Sequence, residues 1–213
     1  MKNIKFRLSA ALISDALDNY GFPNQILSSE IKPNFLGAKV FGKIRILTLK
    51  SLKNKKRYSE VYKGLRFLEL MKKGDVLVVA KGFRNHAFFG EIMSTVAKSR
   101  GIEGVVVDGC TRDSLETIKM KYPVFARDNI ARDIKKRAIV DRVDASSVRI
   151  DGVLIRKGDY LFGDNDGVII IPKEIKEKII NRALRVFWLE KRIKRGIKNG
   201  LQAEVLLNNF GEF

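Results

Sequence analysis

The sequence has very little cysteine and no long hydrophobic run. Cys110 is the only cysteine, which excludes an intrachain disulfide and any cysteine-based zinc or iron–sulfur site made by one chain. No segment approaches the roughly 18 to 20 unbroken apolar residues of a membrane span. Ser9, Ser14 and Asp15 interrupt the apolar stretch that a signal peptide would need. We therefore expect a cytoplasmic protein with no membrane association.

The chain has a large excess of basic residues. It contains 42 Lys and Arg against 24 Asp and Glu, which gives a formal net charge of +18. The basic residues are spread along the sequence, with denser runs at 50–57, 132–137 and 191–198. Because no nucleic-acid-binding motif accompanies them, the pattern favours solvated basic faces over a nucleic-acid interface. Steering of an anionic substrate and a weak acidic partner stay open as alternatives.

The order of the apolar segments predicts an α/β fold. Apolar residues at helical spacing predict helices, and short continuous apolar runs predict buried strands. The predicted helices are 10–20, 58–71, 90–100 and 113–121, and the predicted strands of this half are 39–49, 76–80, 105–107 and 123–126. Helices and strands alternate from about residue 60 to 126, which is typical of parallel strands joined by crossovers.

The second half of the sequence changes to short strands and turns. The dipeptide at 151–152 is Asp-Gly, a strong hairpin signal. Residues 164–167 lack the spacing of a calcium loop, so we expect a turn between strands there. A basic helix is predicted at about 173–199, followed by a short tail. With no linker in the sequence, residues 1–213 are expected to form a single domain.

Three charged residues lie at the ends of predicted apolar elements. Glu91 begins one helix, and Arg112 and Asp113 follow the strand 105–107. The twenty residues between Glu91 and Arg112 suit one helix and the next strand, which would return the chain to the edge where open α/β sheets bind ligands. Arg can clamp a carboxylate with two hydrogen bonds, and Asp with water can hold Mg²⁺. Spacing alone also allows a helix cap and a surface ion pair.

Longer motifs make the sequence similar to a known family. The stretches FGEIMSTVAKSRGIEGVVVDGCTRDSLE, GDYLFGDNDGVIIIP and LSAALISDALDNYG resemble the family that contains 4-hydroxy-4-methyl-2-oxoglutarate aldolase and the regulator of ribonuclease activity A. The similarity runs through nearly the whole chain. Catalytic members of that family carry an acid, twenty residues, Arg-Asp, two residues and another acid. This sequence supplies Glu91, Arg112, Asp113 and Glu116 at those places.

The resemblance implies a reaction and a role for each residue. Asp113 would ligate a divalent cation, Mg²⁺ or Mn²⁺, and Arg112 would bind the pyruvyl oxygens and stabilise the enolate. Glu91 would hold the water that acts in proton transfer, with Glu116 as a supporting acid. The implied activity is cleavage of a 4-hydroxy-2-oxo acid to pyruvate, with decarboxylation of oxaloacetate through the same enolate.

The resemblance also implies a fold, an assembly and a carboxylate site. The backbone amides of Ile92 and Met93, after Gly90, would receive the pyruvyl carboxylate of the small 2-oxo acid substrate. The fold would be a compact α/β/β sandwich with a C-terminal helix. The family commonly assembles as a homotrimer or a hexamer, with the sites near subunit interfaces.

The segment before Gly90 departs from the family pattern. Relatives usually carry a Gly-rich, often acidic stretch where this chain has 81–86, and this loop is expected to contact the distal part of the substrate. His86, the only histidine, could donate to a substrate carboxylate, although a structural role is the alternative. Cys110 lacks a thiolate-activating pattern and is expected to be a buried small side chain.

Two other functions compete with the aldolase. The first is a non-catalytic regulator that binds a ribonuclease or another protein, because the resemblance implies that one fold serves both roles. The complete set of Glu91, Arg112 and Asp113 favours catalysis. The second is a menaquinone methyltransferase, which is disfavoured because no Gly-rich nucleotide loop follows a strand.

Overall fold

The computed structural model describes residues 2–52 and 62–210. The helices are α1 Lys2–Lys5, α2 Ala10–Asn19, α3 Tyr62–Leu70, α4 Glu91–Ser99, α5 Ser114–Lys119, α6 Lys176–Lys198 and α7 Ala203–Phe210. The strands are β1 Lys32–Pro33, β2 Val40–Ser51, β3 Asp75–Ala80, β4 Ala87–Phe89, β5 Gly104–Thr111, β6 Val124–Asn129, β7 Ala138–Val143, β8 Ser147–Ile150, β9 Val153–Arg156, β10 Tyr160–Gly163 and β11 Val168–Ile171.

A mixed sheet forms the centre of the fold. Its strand order is β1-β6-β5-β3-β2-β10-β11, with β4 beside β5 and β7 beside β2. The pairs β2–β3, β3–β5 and β5–β6 are parallel, whereas β1, β7, β10 and β11 join antiparallel. The predicted parallel crossovers are therefore confirmed. The carboxyl ends of β3, β5 and β6 lie at one edge of the sheet.

The two faces of the sheet are covered differently. Alternate side chains of β2, such as Ile44 and Ile46, pack with the β8–β9 hairpin residues Ile150 and Ile155. On the other face, helices α3 and α4 cover one part of the sheet, and α2 and α6 cover another. Helices, sheet and hairpin make three layers, which confirms the predicted α/β/β sandwich with a C-terminal helix. Within 2–52 and 62–210, no helix is long and apolar enough to cross a membrane.

Several element predictions were incomplete. The strand predicted at 105–107 extends to Thr111 across a register shift, and the short strands β1 and β4 were not predicted. The predicted short tail was wrong, because α7 lies there and packs on α6. A Cβ placed on Gly196 would meet the Leu206 side chain at 2.8 Å, so α7 rests on the backbone of α6. The start of the helix predicted at 58–71 and most of the basic run 50–57 fall outside the described residues.

Candidate functional site

The N-terminus of α4 and the carboxyl end of β5 lie side by side. Strand β4 pairs parallel to β5, with Phe89 opposite Thr111. The backbone N–H of Arg112 then donates to the carbonyl oxygen of Phe89 at 3.0 Å. This pairing brings Glu91, the first residue of α4, next to Arg112 and Asp113. The structure therefore places together the three residues that the spacing predicted at one edge.

Asp113 is fixed against the start of α4. Its backbone is in the left-handed region, with φ of 54°, as N-cap of α5. Its Oδ2 accepts a hydrogen bond from the backbone N–H of Glu91 at 3.1 Å. A Cβ on Gly90 would lie 2.4 Å from that same oxygen. Glycine is therefore needed at position 90 because any side chain there would displace the Asp113 carboxylate.

Arg112 is held between two carboxylates. Its Nη1 lies 2.6 Å from Oδ2 of Asp133, and its Nε lies 3.4 Å from Oδ2 of Asp113. A guanidinium has five N–H donors, and Nη2 of Arg112 contacts no carboxylate among residues 2–52 and 62–210, so it can donate to a ligand. The Arg112 side chain is 34% exposed, which allows that contact. A fixed guanidinium with free donors is suited to binding a carboxylate through two hydrogen bonds.

A groove of about 500 Å³ opens beside these residues. Its lining residues come from α4, the β5–α5 junction and the end of β6, and they are Glu91, Arg112, Asp113, Ser114, Leu115, Glu116, Asn129, Ile130 and Ala131. Thr111 Oγ1 donates to Asn129 Oδ1 at 2.9 Å and fixes the far wall. Glu116 lines the groove as predicted and pairs with Lys119 at 2.8 Å. Asp133 and Asn129 were not predicted.

The first turn of α4 offers donors to an anion. The first hydrogen bond inside this helix runs from the Ser94 N–H to the Gly90 carbonyl at 2.9 Å. The amides of Ile92 and Met93 precede that bond, so neither has an acceptor within the helix. The Ile92 side chain is 69% exposed, whereas Met93 is buried and anchors the helix. These two amides are available for a carboxylate, as the resemblance implies.

The carboxylates at the groove fit one kind of metal ion. Glu91, Asp113 and Glu116 supply hard oxygen donors, and Oδ1 of Asp113 has no hydrogen-bond partner among the described residues. Across 2–52 and 62–210, no three His, Cys, Asp or Glu side chains are grouped closely enough to hold a metal. One or two carboxylates at the groove still suit Mg²⁺ or Mn²⁺, since Mg²⁺ binds through one or two carboxylates and keeps most of its waters.

His86 lies away from the lining of this groove. Its side chain is buried, stacks on the Phe83 ring at 4.2 Å between centroids, and leaves both ring nitrogens without a hydrogen-bond partner among the described residues. Burial lowers the pKa of His86, and the charges of Arg137 and Arg132 lower it further. The structure thus gives no contact between His86 and the Arg112 site, and its predicted substrate role stays a prediction.

Cys110 is a buried thiol. Its Sγ donates to the carbonyl oxygen of Arg84 at 3.1 Å. Burial raises the pKa of Cys110, with Asp128 acting in the same direction and Arg84 against it. A protonated thiol is a poor nucleophile, so Cys110 acts as the small buried side chain that the sequence predicted.

The turn predicted at 164–167 is also present, and the Asp164 carboxylate accepts the Ala10 N–H.

This chain is similar in sequence to two known proteins. A protein of Halalkalibacterium halodurans named "Putative 4-hydroxy-4-methyl-2-oxoglutarate aldolase" is 33% identical over 192 residues, covering 90% of this chain and 85% of that protein. Protein DlpA of Legionella pneumophila is 29% identical over 197 residues, covering 92% of this chain but 31% of DlpA. This chain therefore spans about a third of the length of DlpA.

A solved structure and a family model also match this chain. The crystal structure of Streptomyces coelicolor RraAS2, described as an unusual member of the RNase ES inhibitor RraA protein family, matches with a TM-score of 0.77 and 26% identity. The match covers 91% of this chain and 96% of that one. The family model described as RraA-like, Aldolase/RraA, matches residues 10–170. Because that match spans most of the chain, the protein belongs to the RraA-like family.

Proposed function

We propose that the protein is a divalent-metal-dependent class II aldolase that cleaves a 4-hydroxy-2-oxo acid to pyruvate and also decarboxylates oxaloacetate. The convergence of Glu91, Arg112 and Asp113 on one groove carries this proposal. The name of the Halalkalibacterium relative supports the substrate class, 4-hydroxy-4-methyl-2-oxoglutarate or a similar acid. The proposed site of action is the cytoplasm.

The substrate's pyruvyl end would bind between Arg112 and α4. The free edge of the Arg112 guanidinium donates to the oxygens of the pyruvyl group, and the Ile92 and Met93 amides receive its carboxylate. Asp113 would hold Mg²⁺ or Mn²⁺ through Oδ1, because its other oxygen, Oδ2, already accepts the backbone N–H of Glu91. Bound there, the ion supplies positive charge that stabilises the developing enolate. Arg112 adds a second positive charge that is already oriented before the reaction.

Proton movement would fall to Glu91. A water held by the Glu91 carboxylate accepts the proton of the C4 hydroxyl as the C3–C4 bond breaks. The bonding electron pair becomes the enolate of pyruvate, and C4 becomes the carbonyl carbon of the second product. C3 then takes that proton back from the water to give pyruvate. In oxaloacetate, carbon dioxide leaves C3 instead, so the same enolate and the same Arg112 contacts serve both reactions.

Assembly into a homotrimer or hexamer belongs to this proposal. Apolar side chains stand exposed around the groove, with Ile92 at 69%, Leu115 at 61% and Ile118 at 37%. Such a cluster beside a polar site is typical of a protein interface. Light scattering coupled to gel filtration would measure the mass, and a monomer would contradict the proposed assembly.

Pyruvate release tests the function directly. The purified protein would be given oxaloacetate and a panel of 4-hydroxy-2-oxo acids, with Mg²⁺, with Mn²⁺ and with EDTA. Turnover should require metal and should be lost in Asp113→Asn but kept in Asp15→Asn, a change of the same chemistry on the exposed side of α2. Full turnover in EDTA would contradict the metal, and a borohydride-trapped lysine adduct would indicate a Schiff base. Inactivity on every acid, with binding to a ribonuclease, would favour the regulator.

A further inference from the structure

A second cavity of about 650 Å³ lies at the opposite edge of the sheet from the groove. The groove follows the carboxyl end of β5, whereas this cavity surrounds the starts of β2 and β3. Its lining is strongly basic and comprises Lys43, Arg45, Lys72, Asp75, Lys157, Gly158, Tyr160, Lys173, Lys176 and Glu177. None of these residues belongs to the proposed aldolase site.

The floor of the cavity is a polar strip on an otherwise apolar sheet face. Tyr160 pairs with Lys43, and Lys43 pairs with Asp75, so three neighbouring strands place these side chains in one row on one face. Arg45 lies two residues along β2 on that face. On the same strand, β2, Phe41 precedes these polar residues and packs with α2 and α6. Leu47 and Leu49 follow them and pack with α3 and α4. The cavity occupies the gap between these two groups of helices.

Some of the cavity's cations are already neutralised. Arg45 Nε lies 2.7 Å from Asp144 Oδ1, and its Nη1 lies 3.5 Å from Asp75. The Lys157 ammonium lies 2.5 Å from the other Asp144 oxygen. Asp75 is also fixed, because its Oδ2 accepts the Lys72 N–H at 2.9 Å. Asp144 and Asp75 are therefore already engaged by Arg45, by the Lys157 ammonium and by the Lys72 N–H.

The other lysines leave unbalanced positive charge. Lys176 pairs with Glu177, but the ammonium groups of Lys43 and Lys72 contact no carboxylate among the described residues. Lys173 lies 3.8 Å from Glu174, a distance at the limit of an ion pair. Helix α6, 23 residues long, also begins here with no side-chain cap. Its first-turn amides and positive dipole end add to the potential of the cavity.

We propose that this cavity binds a small phosphorylated metabolite carrying two or more negative charges. Lysines from four separate parts of the chain converge on this cavity and repel one another, and an anion bound among them would reduce that repulsion. Lys43 and Lys72 contact no carboxylate among residues 2–52 and 62–210, and their ammonium groups supply point charges that suit the oxygens of phosphate groups. The volume is large enough for such a molecule and lies within the usual range of small-molecule sites.

Isothermal titration with inorganic pyrophosphate in metal-free buffer tests this site on the full chain. Pyrophosphate should bind, and the affinity should fall at least about 10-fold in the double variant Lys43→Ala/Lys72→Ala. The matched control Lys32→Ala/Lys198→Ala removes the same charge from exposed positions outside the cavity lining and should keep the parent affinity. Arg112→Ala should also keep it, which separates this cavity from the groove.

Four results would overturn the proposal. The first is no heat of binding, and the second is equal weakening in both double variants, which would show a general charge effect. The third is loss of binding in Arg112→Ala, which would place the anion in the groove. The fourth is tighter binding of citrate than of pyrophosphate, which would replace phosphate by polycarboxylate. Because the ligand need not affect turnover, none of these results depends on the aldolase proposal.

Discussion

Asp133 holds Arg112 in place, with Oδ2 of the carboxylate 2.6 Å from Nη1 of the guanidinium. Asp133 reaches this position because residues 132–134 run beside β4, where Ala87 forms a bridge to Asp133. The two side chains are only partly exposed, at 34% for Arg112 and 23% for Asp133. The ion pair restrains the guanidinium of Arg112, which lines the groove. We infer that Asp133 is a positioning residue for the proposed site.

Asp133→Asn should lower kcat/KM for pyruvate release. The amide keeps the shape but loses the negative charge that fixes the guanidinium, and loss of such a supporting partner typically costs about 10- to 100-fold. Asp133→Glu should recover part of the activity, which a purely structural role would not predict. Steady-state kinetics on both variants, with Asp15→Asn as control, would measure this. Unchanged kinetics in Asp133→Asn would remove Asp133 from the site.

Arg112→Lys should lose most of its turnover while the fold stays stable. A lysine ammonium is a point charge that cannot bind Asp133 and also present a planar fork to the pyruvyl group. Removing one preorganised donor costs roughly 100- to 1,000-fold in turnover, whereas a partly exposed ion pair is worth about 0 to 1 kcal/mol of stability. Melting temperature and kcat would be compared with those of Arg100→Lys, an exposed arginine outside the groove. A variant with parental turnover would contradict the proposed clamp.

Gly90→Ala should impair the site more than the fold. Its φ of −157° is open to any residue, so the backbone is not strained by alanine. The new methyl would instead meet Oδ2 of Asp113 at 2.4 Å and displace the carboxylate from the Glu91 amide. We expect the Mg²⁺ concentration for half-maximal activity to rise at least about 10-fold. Gly167→Ala, where the nearest atom lies 3.9 Å away, is the control. An unchanged Mg²⁺ requirement would argue against Asp113 as the ligand.

The sequence predicted the meeting of Glu91 with Arg112 and Asp113 because their spacing and the parallel strands impose it. It did not predict Asp133 or Asn129. Asp133 contacts Arg112 because its segment bridges β4, and Asn129 lines the groove at the end of β6, and no local sequence pattern marks either pairing. Helix α7 was missed for a related reason. Its eight residues depend on packing against the bare backbone at Gly196, and short helices are marginal without such contacts.

The sequence did not predict the basic cavity either. Its lysines at 43, 72, 157 and 173 are far apart along the chain, so the composition indicated only solvated basic faces. Their convergence depends on the β2–β10 and β2–β3 registers and on where α6 begins. Charge spread through a sequence can therefore become one local site once strands from different regions pair.

His86, the only histidine, should make the protein less stable at mildly acidic pH. Burial lowers the pKa of His86 below its ordinary value of 6.5, with Arg137 and Arg132 acting in the same direction. Above about pH 6.5, His86 is neutral in both the folded and the unfolded chain. As the pH falls below 6.5, the unfolded chain binds a proton that the folded chain does not, so the free energy of unfolding decreases. The effect belongs to mildly acidic pH, because Asp141 and Asp144, whose pKa values are lowered, titrate at much lower pH.

Two measurements check this pH dependence. Because the chain has one histidine, a single Cε1–H resonance should follow His86, and its NMR titration midpoint should lie below 6.5. The melting temperature of the parent should fall between pH 7 and pH 5 more steeply than that of His86→Gln, which has no imidazole to protonate. A midpoint at or above 6.5, or equal slopes for the two proteins, would mean that the folded protein accepts the proton. His86 would then have an acceptor or a water that offsets its burial.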